Sequence, residues 1–181
     1  MAIGLLILRV VVGVLMIGHG AQKLFGWFGG GGITGTAGFF DGIGLRPARP
    51  AAIGAGIAET GGGLLLALGL LTPIGSVAIV CVMIGAIISV HWPKIWNTQG
   101  GLEYPLVMLT CAWALSFAGP GRWSFDRALG LDVSGTPAGL AVLGIGVMCA
   151  LSVIVLRRPP VSAAQPDTAP NATEAVSTRD R

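Results

Sequence analysis

Six ionisable side chains stand inside or at the ends of strongly apolar stretches: Arg9, His19, Lys23, Glu59, His91 and Glu103. An ionisable group in hydrocarbon costs at least about 2.5 kcal/mol on insertion scales, so such groups face a bundle interior and seek partners. On a helix, Lys23 lies about 40° and His19 about 80° around from Arg9, which puts all three on one face. Glu59 sits roughly 13 Å into the next apolar stretch, a depth comparable to that of Arg9 from the opposite end of its own. An antiparallel neighbour predicts an Arg9–Glu59 ion pair near the midplane, either functional or serving only to fix packing. Alternation of spans puts His19, Lys23, His91 and Glu103 on one side, with Trp27, Trp92, Trp96 and Tyr104 as an interfacial aromatic belt. These groups are the candidate polar core, and His19, Gln22, Lys23 and His91 are the candidate cofactor-binding residues. Together they would make a pocket for an anion, a quinone head group or a small thiol. The alternative is separate side chains snorkelling at helix ends.

The elements that must carry them are membrane helices. The chain of 181 residues is 53% hydrophobic and 10% charged, with mean hydropathy +0.80, against roughly 25% charged in soluble domains. A spanning helix needs about 20 apolar residues. Five windows fit or nearly fit: Ile3 to Phe28, Pro50 to Leu71, Ile74 to Trp92, Tyr104 to Ala118, and Pro137 to Leu156. The fold class is therefore all-α, a polytopic membrane helical bundle. Thr72-Pro73 breaks the chain between the second and third windows and predicts a tight helical hairpin. Gly29 to Gly32 is a flexible run, and Thr36 to Leu45 is too short to span and reads as interfacial or re-entrant. The first window lacks a basic flank and a cleavage site, so it reads as a retained helix rather than a signal peptide. Residues 157–181 are polar and proline-rich and read as a disordered tail.

Several chemistries are excluded or weakened. The net charge of +3 has no basic patch with interleaved aromatics, which argues against nucleic acid. The three cysteines, Cys81, Cys111 and Cys149, lie in separate helices without a C-x-x-C, and read as packing residues rather than a dithiol relay. They offer no zinc site, and no metal is expected. Nothing in the spacing of His19 and His91 requires haem. No glycine-rich segment has the context of a phosphate loop. Gly54, Ala58 and Gly62 permit close helix contact, within the chain or between copies in a homo-oligomer.

Positive charge sets the orientation. Lys23, Arg46, Arg49, Lys94, Arg157 and Arg158 fall on one side, and Arg122 and Arg127 on the other. The positive-inside rule then places the amino terminus outside and the tail in the cytoplasm.

The motifs resemble one family. Leu8-Arg9, then His19-Gly20-x-Gln22-Lys23-Leu24-Phe25-Gly26, resembles the opening of the DoxX family of bacterial membrane proteins. Gly38-Phe39-Phe40 with Gly44-Leu45, Ala58-Glu59-x-Gly61-Gly62 with Leu70-Leu71-Thr72-Pro73, His91, and Glu103-Tyr104-Pro105 resemble its later blocks. Gly119-Pro120-Gly121-Arg122-x-Ser124-x-Asp126 is similar to its closing motif. The resemblance implies a four-helix core over residues 1–130 in a bacterial cytoplasmic (inner) membrane; the apolar run 137–156, read as an additional transmembrane helix, and the tail depart from the family pattern. It further implies quinone-linked redox work on thiosulfate or thiols, or in oxidative stress. Two other roles compete: a scaffold anchoring soluble redox enzymes such as superoxide dismutase and a sulfurtransferase, and a small-solute carrier or channel.

Overall fold

The computed structural model describes residues 2–155 and Arg157. It is a helical bundle whose long elements are α1 (Ala2–Phe25), α3 (Ala48–Leu68), α4 (Thr72–Ala86, continued by a π turn at Ile87–His91), α5 (Glu103–Ala118) and α7 (Thr136–Val155). Two shorter helices, α2 (Gly32–Gly42) and α6 (Phe125–Leu129), lie in the connections. Four helices, 2–25, 48–68, 72–91 and 136–155, are long and apolar enough to cross a membrane. The 16 residues of α5 reach only about 24 Å, short of the roughly 30 Å of a hydrocarbon core. Of the tail expected to be disordered, all but Arg157 lies outside the described residues.

Local chemistry explains the ends. Gly26 at φ 74° stops α1 short of the expected Phe28. Gly69 at φ 62° caps α3, and Leu70 N–H donates back to the Leu65 carbonyl at 2.9 Å, the wrap that closes a helix carboxyl end. Pro73, in the first turn of α4, gives up no intrahelical bond there. The predicted hairpin is therefore present. The interfacial piece after the glycine run is α2, which packs on α1 and α3 and buries none of its residues.

The distribution of polarity is that of a protein in lipid. Ile3, Ile7, Val11 and Val14 of α1, with Leu140, Ile145 and Met148 of α7, are exposed, while Arg9, Glu59, Thr72, Ser76, Ser116 and Asp126 are buried. The apolar core is built around α4. Ile79, Val80 and Met83 pack with Val12 and Met16 of α1, Leu66 of α3, Met108, Ala112 and Leu115 of α5, and Val142 of α7. The fifth long helix is thus part of the bundle, packed on α4 and α5. Trp113 Nε1 donates to the Gly139 carbonyl at 2.9 Å, and a Cβ on Gly139 would lie 2.4 Å from the Phe117 ring.

Glycine sets the register of α1 on α3. A Cβ on Gly13 would lie 2.4 Å from the Gly63 carbonyl oxygen, and one on Gly20 would lie 2.1 Å from Thr60 Oγ1 and 2.7 Å from the Gly56 carbonyl oxygen. Each pair, Gly13/Gly20 and Gly56/Gly63, is two helical turns apart, so the helices mate antiparallel at two levels. Within the chain the stripe of Gly54, Ala58 and Gly62 does not act as a unit. Gly54 meets nothing within 4 Å, and Gly62 serves the hairpin, facing the Gly75 carbonyl oxygen at 3.1 Å.

Gly20→Ala is therefore expected to cost about 1–3 kcal/mol as overpacking, while Gly54→Ala, in open space, leaves stability unchanged or slightly raised. Thermal unfolding of the detergent-solubilised protein checks the pair. Equal melting of both variants would show that this register contact does not hold the bundle.

Candidate functional site

The buried polar groups fall at two levels. At the first, Arg9 is fully buried and its Nη2 donates to the Trp123 carbonyl at 2.5 Å. Its guanidinium occupies the space beside Gly69, where a Cβ would sit 1.4 Å from Nη1, so only glycine is tolerated there. Asp126 supplies the nearby countercharge. Its carboxylate accepts from Leu71 N–H at 2.6 Å and Thr72 N–H at 2.9 Å, an anion capping the positive end of α4. Asp126 N–H donates to the Gly69 carbonyl at 2.8 Å. The loop after α5, folded by Ser124 capping α6 through Arg127 N–H at 3.2 Å, thereby ties α1 to the α3–α4 hairpin.

The second level lies along α1 toward its carboxyl end, fourteen residues or about 21 Å from Arg9. Lys23 Nζ pairs with Glu59 Oε2 at 2.6 Å, with side-chain exposures of 24% and 3%. His19 packs against Tyr104 with ring centroids 4.8 Å apart. The Tyr104 hydroxyl and Thr60 Oγ1 are buried without a hydrogen-bond partner, and Thr60 Oγ1 rests on Gly20, next to His19.

The expected Arg9–Glu59 pair is not formed. That expectation set the two helices end to end at the same planes. The glycine contacts instead slide Arg9 to the end of α3, at Gly69, and bring Lys23 opposite Glu59. About 10 Å of α1 then projects beyond α3. His91 and Glu103 do not join this group; they stand apart at helix ends, as in the alternative reading. His91 Nδ1 meets the Gly100 carbonyl at 2.7 Å, and Glu103 Oε2 accepts from Asn97 N–H. Both side chains hold the loop between α4 and α5. Gln22 Nε2 donates to the Phe28 carbonyl at 3.3 Å and steadies the turn after α1. Among the described residues no cluster of three or more His, Cys, Asp or Glu side chains could hold a metal.

The DoxX family model matches residues 4–92. CatD of Bacillus subtilis (strain 168), which carries a provisional oxidoreductase name, is 36% identical over 114 residues, covering 63% of this chain and 79% of CatD. The membrane protein Rv3486 of Mycobacterium tuberculosis (strain ATCC 25618 / H37Rv) is 31% identical over 133 residues, 67% of this chain and 78% of that protein. The chain belongs to the DoxX family. No solved structure matches it.

The match to DoxX takes in α1 to α4, and with them Arg9, His19, Lys23, Glu59 and His91. The groups that complete both polar levels, Tyr104 and Asp126, come from later in the chain. Sequence reasoning assigned Tyr104 to the aromatic belt and gave Asp126 no role. The available signal for Tyr104 was its place beside Glu103: at the start of α5 consecutive residues point apart, one to the loop and one to the bundle. Asp126 was legible only as the last residue of the closing motif; its partners, backbone amides 54 and 55 residues away, carry no sequence signal.

Asp126→Ala removes a countercharge and two acceptors at once. It is expected to cost about 1–3 kcal/mol for each backbone donor left unmet, with Asp126→Asn milder. Glu103→Gln, at the loop, serves as the near-neutral comparison. Thermal unfolding in detergent reads the difference, and a native melting profile for Asp126→Ala would show that Arg9 needs no countercharge from this loop.

Proposed function

We propose that this DoxX protein is the membrane component of a redox system that delivers electrons to quinone, with the quinone head group seated beside His19, Lys23, Glu59 and Tyr104. One observation carries the reading. A buried Tyr104 hydroxyl without a partner stands against His19, at the level of a charged pair inside the membrane. A buried donor left unmade costs about 1–3 kcal/mol, and a ligand carbonyl would repay it.

The residues fit such a head group. Quinone, when bound, supplies an acceptor of two electrons and two protons. The Tyr104 hydroxyl and the Lys23 ammonium would donate to its two carbonyl oxygens. Glu59, almost wholly buried, holds Lys23 in place and balances its charge. Lys23 keeps partial exposure, so a proton given up there is replaced from the interface. His19, one turn away from Lys23 on the same helix, is the second group placed to move a proton. The provisional oxidoreductase name of CatD supports the redox class.

Electrons would come from thiosulfate, a small thiol or a soluble redox enzyme docked on the protein. Proposed with this is a place in the bacterial inner membrane, amino terminus outside. In support, Arg157 Nε donates to the Ile43 carbonyl at 2.8 Å, which puts the end of α7 on the same side as Arg46 and Arg49.

Titration of the purified protein with a short-tailed quinone tests the reading. Tyr104→Phe is expected to weaken binding about three- to tenfold, the worth of one hydrogen bond. Glu59→Gln should weaken it by at least about tenfold, or 1.4 kcal/mol, with the folded yield retained. Absence of both quinone binding and quinone reduction in the unaltered protein would sink the proposal.

A further inference from the structure

A further charged group lies outside both polar levels, where the link between α2 and α3 meets the end of α7. The link turns tightly: Gly44 N–H donates to the Asp41 carbonyl at 2.9 Å, and Leu45 N–H to the Phe40 carbonyl at 2.8 Å. Leu45 then pairs its backbone, antiparallel, with Arg157, and Arg157 Nε donates to the Ile43 carbonyl at 2.8 Å. Arg157 is thereby fixed beside the link. Arg46 follows Leu45 directly, and Arg49 is in the first turn of α3. All three arginines are exposed. The sequence reading used them only to set orientation.

The fold does not balance their charge. Asp41 pairs with Arg46, Nε to carboxylate at 2.9 Å. Among the described residues no carboxylate pairs with Arg49 or Arg157. The first turn of α3 has no acidic side chain, although that end of a helix disfavours a cation. Bonding through Nε leaves the two terminal nitrogens of Arg157, a planar fork that matches the oxygens of a phosphate. The place of the patch selects the anion. Helices 48–68 and 136–155 are both long and apolar enough to span, so their ends here lie at headgroup depth. Met148, Leu151 and Val155 of α7 are exposed. Spaced three and four residues apart, they share one helix face and form an apolar track leading up to Arg157. A phosphate that carries a hydrocarbon chain meets both features, whereas a free phosphate meets only the first.

We propose that the α2–α3 link and the end of α7 bind one anionic phospholipid, its phosphate bridging Arg49 and Arg157 and its acyl chain lying along Met148, Leu151 and Val155. Arg46, held by Asp41, adds longer-range attraction. A zwitterionic headgroup brings an ammonium with its phosphate, and the three arginines disfavour it. The bound lipid joins the start of α3 to the end of α7 and reinforces the contact of Arg157 with Ile43. Because α7 also holds α5 at the opposite face, lipid at this site steadies the whole bundle. The proposal does not rest on the quinone reading, whose residues lie elsewhere.

The test uses the full chain in a non-ionic detergent. Phosphatidylglycerol or phosphatidylcholine with the same acyl chains is titrated in, and native mass spectrometry counts the lipids that stay bound. One phosphatidylglycerol per chain should bind first and raise the melting temperature, and phosphatidylcholine at the same concentration should do neither. Arg49→Gln breaks no side-chain bond among the described residues, so the variant keeps its fold. It should weaken that first binding about fivefold, and adding Arg157→Gln should bring the loss to about twenty-five-fold, at the usual worth of an arginine near an anionic surface. Added salt should weaken binding, as it does for exposed charges. Arg122→Gln with Arg127→Gln, which removes the same charge at the opposite face, should leave binding unchanged. Glycerol phosphate, the headgroup without chains, should not displace the lipid. Equal binding of the two lipids, unchanged binding by Arg49→Gln, equal loss in the two double variants, or displacement by glycerol phosphate would each overturn the proposal.

Discussion

How closely α1 can lie against α3 decides most of what the molecule does with its charges. Lipid gives two apolar helices no hydrophobic reason to associate, so contact depends on backbone approach and van der Waals packing. Gly13 against Gly63 and Gly20 against Gly56 supply that approach. Their spacing admits one register. A slip of one turn, about 5.4 Å, would bring Cβ atoms onto backbone at both levels. It would also draw Lys23 away from Glu59 and lift the Arg9 guanidinium off Gly69. The charges do not choose their partners independently; the glycines bring them together, and the pairing then penalises any other register.

The two polar levels differ in what they can exchange with the outside. Arg9 has no exposed surface, a guanidinium does not lose its proton in proteins, and its Nη2 is held by a carbonyl of the closing loop. That arrangement is suited to holding three segments together: α1, the α3–α4 turn and the loop before α6. Lys23 is partly exposed while its partner is not, and unpartnered hydroxyls lie at the same level. A site that moves protons needs a route to water and unmet hydrogen-bonding capacity. Among the described residues the first level also keeps unmet capacity, at Arg9 Nε and Nη1 and Thr72 Oγ1, but Arg9 has no exposed surface; the second level has both.

Much of the fold was legible in the sequence because lipid imposes a simple rule: every long apolar run must be a helix. The five long helices fall within a few residues of the five apolar windows, and Thr72-Pro73 marks the hairpin. The shared face of Arg9, His19 and Lys23 follows from helical periodicity alone. Partners were harder to read, since depth estimated from helix ends assumes that neighbouring helices start at one plane. The overhang of α1 breaks that assumption and exchanges Arg9 for Lys23 as the partner of Glu59. His91 and Glu103 were legible as polar groups at one end of the bundle. Their hydrogen bonds to loop backbone were not, because a loop's path carries no period. The packing of α7 on α4 was not legible either, because an all-apolar helix gives no directional pattern from which to infer it.

The last point concerns how much of the chain the site needs. The family match ends at residue 92, yet Tyr104 and Asp126 come from beyond it. α5 supplies Tyr104 but is short for a spanning helix. Its position is secured from outside itself: Trp113 donates to the carbonyl of Gly139, in the first turn of α7, and Gly135 N–H, just before α7, donates to the Phe117 carbonyl at 3.0 Å. At the other end of α7, Arg157 is bonded to the carbonyl of Ile43, in the link between α2 and α3. α7 therefore clamps the bundle at both membrane faces, holding α5 at one and the α2–α3 link at the other. Because α5 carries the tyrosine that faces His19, the fifth long helix bears on the polar site although it contributes no residue to it. A core ended after α4 would lack both the Asp126 cap on α4 and the hydroxyl beside His19.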